Sequence, residues 1–128
     1  MKVLIVEDSQ NDIDFYSRQL SDCDVFIANN LKEGRLALSA QQFDLIILDN
    51  GLPDGMSVDH LDSITSLSEE AFIVMVSGAV NAEIVKKALG FGVSTVRKKG
   101  SLGNDSIKKI VTCIKSGKQA CGDLVCQA

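Results

Sequence analysis

Residues 44–55, DLIILDNGLPDG, constrain this chain more than any other stretch. Leu45, Ile46, Ile47 and Leu48 run without alternation and stop at a carboxylate, Asp49. Asn50-Gly51 and Pro53-Asp54-Gly55 follow at once. A short apolar run bounded by turn residues suits a strand buried on both faces, as inside a parallel sheet. Glycine supplies positive φ and proline presets φ, so the residues after Asp49 read as a turn. Asp49 therefore stands where a buried strand breaks into a loop. In open α/β sheets ligands bind at that edge, beyond the carboxyl ends of the strands. An isolated aspartate there would be a turn residue or helix cap, and the remaining chain decides.

Taken in order, the sequence repeats one theme. Residues 2–6 (KVLIV) form a second short apolar run that also ends at acid, Glu7-Asp8. Ile13, Tyr16 and Leu20 recur at helical spacing and predict a first helix to about Ser21. Residues 25–28 predict a small strand; Asn30 then caps a helix striped by Leu31, Arg35 and Leu38. Gly34 weakens that helix by about 1 kcal/mol relative to alanine. After the Asp49 turn, Val58, Leu61, Ile64 and Leu67 predict a third helix from about Ser57. Residues 71–76 (AFIVMV) are a fourth strand, ending at Ser77-Gly78. Asn81 caps a helix through Ile84, Val85, Ala88 and Leu89, which Gly90 or Gly92 ends. Residues 94–97 make a poorly apolar fifth strand before Lys98-Lys99-Gly100. Ile107, Ile110, Val111 and Ile114 predict the last helix, closed by Gly117.

Five β-α units in succession imply an α/β fold, a parallel sheet with helices on both sides and right-handed crossovers. A chain of 128 residues is one domain of this kind, with residues 118–128 a tail or the start of a linker to an absent effector. Hydrophobic content of 45% argues against disorder, and a net charge of −4 gives no footprint for a nucleic-acid backbone. The apolar run after Met1-Lys2 is too short for a signal peptide, and no stretch is long enough to cross a membrane. A cytoplasmic protein is expected. Cys23, Cys113, Cys121 and Cys126 contain no C-x-x-C and accompany one histidine, His60, so free thiols are expected rather than a zinc site. His60 is expected to face solvent, and Asp12, Asp14 and Asp54 to be solvated acids.

The functional signal lies in what stands at each strand's carboxyl end: Glu7 and Asp8, then Asp49, then Ser77, then Lys99. One sheet edge would collect three carboxylates, a hydroxyl and an ammonium. Crowded carboxylates repel, which raises a pKa or calls for a cation. Magnesium favours one or two carboxylates with waters and a phosphate oxygen. A carboxylate can also attack phosphorus to give an acyl phosphate. Lys99 and a metal would then neutralise the transferred group's oxygens, with Ser77 donating a hydrogen bond.

With these residues in this order, the chain resembles the receiver domain of two-component response regulators over residues 1–117. The resemblance rests on Glu7-Asp8, Asp49 with Pro53 four residues later, Ser77 and Lys99. It implies a (βα)5 flavodoxin-like sandwich with strand order 2-1-3-4-5. It implies that Asp49 accepts a phosphoryl group from a histidine kinase or histidine phosphotransfer protein. Mg²⁺ would be held by Asp8, Asp49 and the Gly51 carbonyl, with Glu7 acting through water. Lys99 would pair with the phosphoryl group; Lys98 is the alternative, and alignment on Gly92 favours Lys99. Ser77 would move toward the phosphoryl group and pull the surface near the fourth helix into a second state. Effector contact or homodimerisation would use the face from the fourth to the fifth helix, with no nucleic acid or membrane bound through this domain.

The chain also departs from the family pattern. Val96 stands three residues before Lys99, where an aromatic is usual, and Gly100 follows Lys99, where proline is common. Gly51 leaves one side of the site open to water. The rival reading is a pseudo-receiver that binds partners without taking up phosphate. A flavodoxin would need a phosphate-cradling first loop, which Glu7-Asp8-Ser9-Gln10 is not. A dehalogenase-type phosphatase would need an acid where Gly51 stands.

Overall fold

The computed structural model describes residues 1–117. The expected tail, with Cys121 and Cys126, lies outside the described residues. The chain begins β1 (Lys2–Val6), α1 (Gln10–Arg18), β2 (Asp24–Ala28), α2 (Leu31–Ala40), β3 (Leu45–Asp49). A two-residue antiparallel ladder, β4 (Gly51–Leu52) with β5 (Gly55–Met56), forms the turn after Asp49. A 3-10 turn at Ser57–Asp59 precedes α3 (Leu61–Ser66), and β6 (Phe72–Ser77), α4 (Ala82–Gly90) and β7 (Thr95–Lys98) follow. A second 3-10 turn, Lys99–Ser101, leads into α5 (Ser106–Lys115).

The main sheet runs β2-β1-β3-β6-β7 with every neighbouring pair parallel. Without the small ladder this is the expected 2-1-3-4-5 order. The apolar runs are buried on both faces, as their lack of alternation predicts: every residue of β3 and β6 is buried. Leu4, Val6, Ile46, Leu48, Ile73 and Met75 face one core with Leu31, Leu38, Leu61 and Ala88 from α2, α3 and α4. Val3, Ile5, Leu45, Ile47 and Val74 face the other, with Ile13 and Tyr16 of α1 and Ile107 and Ile110 of α5. The edge strands β2 and β7 are the less apolar ones, as an exposed position in a sheet permits.

Helix ends follow the capping logic in part. Asn30 and Asn81 accept hydrogen bonds from Glu33 and Ile84 backbone N–H groups, and Gly92 and Gly117 adopt positive φ just past α4 and α5. The third helix starts later than its periodicity suggests. Ser57 is fully buried with its hydroxyl donating to the Asp49 carbonyl, and the 3-10 turn at Ser57–Asp59 comes before the α-helix proper. Gly34 has a packing reason: a Cβ there would lie 3.3 Å from both Val6 methyl groups, so its absence lets α2 sit close on β1. Cys23 is a free thiol, but Cys113 is disulfide-bonded, correcting the expectation of free thiols throughout.

α5 gets no side-chain cap from its own N-cap residue, Asp105. Gln19, nearly buried at the end of α1, supplies it instead. Its Oε1 accepts from the Ile107 N–H at 2.8 Å and the Lys108 N–H at 3.3 Å, and its Nε2 donates to the Phe15 carbonyl at 3.4 Å. Gln19→Leu is expected to lower the unfolding free energy by about 1–2 kcal/mol, because two helix-end donors lose their acceptor in a dry site. Urea denaturation of both proteins measures this; an unchanged midpoint would show that water replaces the amide.

Candidate functional site

Each strand of the main sheet except the β2 edge delivers a polar residue to its carboxyl end. Glu7 follows β1, and its N–H donates to the Ala28 carbonyl at 2.9 Å, which extends the ladder one residue past β1. Its side chain turns back over the loop: Oε2 accepts from the Asp8 and Ser9 N–H groups at 3.0 and 3.2 Å. Asp49 ends β3 and is 5% exposed, whereas Asp8 is exposed. Carboxylate oxygens of Glu7, Asp8 and Asp49 all lie within 4.8 Å of one another. The sheet thus brings together the three acids that the sequence placed at strand ends.

The loop after Asp49 is pinned from both sides. Asn50, buried, donates its N–H to the Val76 carbonyl at 2.9 Å and accepts from the Val58 N–H at 3.0 Å through its side chain. The Ser57 N–H donates to the Asn50 carbonyl at 2.8 Å. Asp54 is not merely a solvated acid. Its carboxylate accepts from the Leu31 and Lys32 N–H groups at 2.8 and 3.1 Å, holding the loop onto the first turn of α2. These two bonds lower its pKa, that from Leu31 most. Gly55 turns the chain with φ +148°, and a Cβ there would meet Leu31 Cδ1 and His60 Nε2 at 3.3 Å. His60, partly covered, packs against that turn.

Lys99 reaches the acids and exposed Lys98 does not. The Lys99 Nζ lies 2.9 Å from Glu7, 2.9 Å from Asp12 and 3.3 Å from Asp49. Asp12 is therefore a site residue, correcting its reading as a solvated acid. It sits on the first turn of α1, one turn beyond the acidic pair, and that position is the sequence signal that could have found it. Ser77 ends β6, and its hydroxyl donates to the Ala79 carbonyl at 2.8 Å. Gly51 is exposed, and a Cβ there would meet nothing within 4 Å. Val96 is fully buried.

The electrostatics follow from this crowding. Burial first, then the neighbouring Glu7 charge, raise the Asp49 pKa from 3.8 to about 7, against the pull of Lys99. Burial works against the charge on Lys99, but hydrogen bonds to Asp12 and Glu7 and the Asp49 charge outweigh it and raise its pKa. Tyr16, beneath the site in the α1 core, is likewise raised by burial and then by Glu7.

A parallel five-stranded α/β sheet carrying three acids and a lysine over its carboxyl edge is the class of protein that fold and site define. Residues 3–112 match the response regulator receiver domain family, and the chain belongs to it. Similar curated proteins include the transcriptional regulatory protein MalR of Bacillus subtilis, 29% identical over 96 residues covering 72% of this chain and 41% of that protein. CitB of Klebsiella pneumoniae is 34% identical over 77 residues, covering 59% of this chain and 33% of that protein. The chain thus spans less than half the length of these relatives. Among solved structures, a CheY-like receiver domain protein from Methanospirillum hungatei is similar with a TM-score of 0.81 at 24% identity, covering 92% of this chain and 96% of that one. A response regulator from Burkholderia pseudomallei, described with a phosphorylated aspartic acid and a calcium ion, gives 0.76 at 20% identity over 96% of this chain and 73% of that one. Both likenesses establish the fold.

The raised pKa has a thermodynamic consequence. Folded Asp49 holds its proton more tightly than unfolded Asp49, so its contribution to stability is full below about pH 4 and is lost as pH rises toward about 7. An amide in place of this carboxyl has no proton to lose and would not incur that loss. In metal-free buffer, Asp49→Asn is expected to be more stable than wild type at pH 8, by about 1–2 kcal/mol after allowing for solvent screening, and equal to it near pH 4. Thermal melts across that range check this; a constant difference at all pH values would refute it.

Proposed function

We propose that Asp49 is a phosphoacceptor, modified in the presence of Mg²⁺ by a histidine kinase or histidine phosphotransfer protein, and that the modification switches what the domain binds. The observation that carries this reading is the cluster itself: Glu7, Asp8 and Asp49 within 4.8 Å of one another, with Lys99 Nζ 3.3 Å from Asp49. Attack by an Asp49 oxygen on phosphorus forms the acyl phosphate as the donor's phosphorus–nitrogen bond breaks, and the electron pair leaves with the donor imidazole. The protein acts on itself alone and is not an enzyme in the usual sense.

The acids present suit a hard divalent cation, since they are all-oxygen ligands with too little positive charge nearby. Asp8 and Asp49 would hold it, with the Gly51 carbonyl and, through water, Glu7. When bound, the ion would offset charge on the transferred oxygens. The same repulsion that keeps a proton on Asp49 near neutral pH favours a dication in its place. Glu7 is fixed by the loop amides, and Lys99 brings a permanent positive charge to the acceptor.

Switching would begin at Ser77. To reach a phosphoryl oxygen its hydroxyl must leave the Ala79 carbonyl, which frees the loop leading to α4. Val96 has no ring to swing, so the signal would travel through that loop. A partner or second copy would meet the face of α4, β7 and α5, near exposed Leu89 and Phe91. A phosphohistidine donor of this kind would be met in the cytoplasm; among the described residues, no helix is long and apolar enough to cross a membrane.

Incubation with acetyl phosphate and Mg²⁺ is expected to add the mass of one phosphoryl group to the wild type. Asp49→Asn, or wild type in excess EDTA, is expected to stay unmodified. A wild type that takes up nothing by mass spectrometry would instead mark a phosphorylation-independent interaction module. Gly51 leaves the acyl phosphate exposed to water, so Gly51→Met is expected to slow its hydrolysis several-fold. An unchanged rate of phosphoryl loss would remove that role from position 51.

A further inference from the structure

We infer that Asp12 is a positioning residue for Lys99: it holds the ammonium in the resting domain and yields it when a phosphoryl group arrives. This inference rests on Asp49 being the phosphoacceptor. An ammonium has three N–H donors. Lys99 faces three carboxylates, Glu7 and Asp12 at 2.9 Å and Asp49 at 3.3 Å. A phosphoryl oxygen can pair with Lys99 only if one of these partners lets go.

The three are not equally able to do so. Glu7 is 1% exposed, and a buried carboxylate that loses its cation is left without a replacement. Asp49 is buried and carries the incoming group. Asp12 has a side chain 36% exposed, so water can solvate its carboxylate once the ion pair opens. Asp12 is therefore the partner that gives way. In the resting domain its carboxylate occupies the place on Lys99 that a phosphoryl oxygen takes later. Its charge also adds to those of Glu7, Asp8 and Asp49, opposing an anionic donor. Both effects favour the unmodified state.

Beryllofluoride, a phosphoryl mimic, tests this without a covalent step. With Mg²⁺ present, Asp12→Asn is expected to bind it about three- to fivefold more tightly than wild type, as followed by amide NMR titration. The initial rate of acetyl phosphate uptake should rise by a similar factor. Asp12→Ser, which also removes the charge, should match Asp12→Asn, and Asp12→Glu, which restores it within reach of Lys99, should return toward wild type. Asp14→Asn is the control for net charge: Asp14 lies on the same helix and accepts from the Gln10 amide at 2.8 Å. Equal or weaker binding by Asp12→Asn and Asp12→Ser, or the same gain from Asp14→Asn, would overturn the inference. A wild type that binds no beryllofluoride and takes up no phosphate would overturn the phosphoacceptor reading, and this role with it. Normal wild-type binding with unaffected Asp12 variants would overturn this role alone.

Discussion

One ammonium among three carboxylates organises this molecule. Lys99 is separated from Glu7 by ninety-two residues and from Asp12 by eighty-seven, yet it bonds to both at 2.9 Å. The contact exists only if β1 and β7 lie in the same sheet with parallel sense, and only if α1 starts beside that edge. Burying two acids there is unfavourable by itself. The fully buried strands beneath them supply a rigid floor, and the loop amides on Glu7 share its charge. Fold and cluster are thus conditions on each other: the sheet fixes where the charges go, and the charges mark which end of the sheet carries the candidate site.

Much of this is legible in the sequence because it follows short-range rules. Unalternating runs ending in acid mark β1 and β3, helical spacing marks the two core faces, and Asn30 and Asn81 announce their helices. Asp49 can be singled out only in company: alone it reads as a turn residue or cap, and Glu7-Asp8, Ser77 and Lys99 at the other strand ends decide otherwise. What stays hidden depends on reach between elements rather than on spacing within one. Asp12, Asp54 and Gln19 are ordinary polar residues in a one-dimensional reading. Each becomes significant through a partner at least twenty residues away. Ser57 misleads for a related reason: a serine opening a helical pattern is normally a cap, whereas here its hydroxyl is used on the Asp49 carbonyl. The choice between Lys98 and Lys99 is likewise geometric: Lys98 ends β7 exposed, and Lys99, opening the 3-10 turn after it, reaches the acids.

The departures from the family pattern also acquire physical content. Val96 is fully buried and paired with Met75 in the sheet, so it reinforces the core where a ring would have two positions. Gly51 sits at an open flank without positive φ, so nothing in the backbone requires glycine there. The first departure adds a side chain to the core, and the second leaves a flank of the site open.

The bond from Asp54 to the amides of Leu31 and Lys32 makes the turn after β3 a working part of α2. A chimera built by transplanting that turn from another protein would have to bring its own acceptor for those two amides. Without one, the helix on the far side of β1 would fray at its start, and an exchange made at one loop would be felt in a segment whose sequence was never touched.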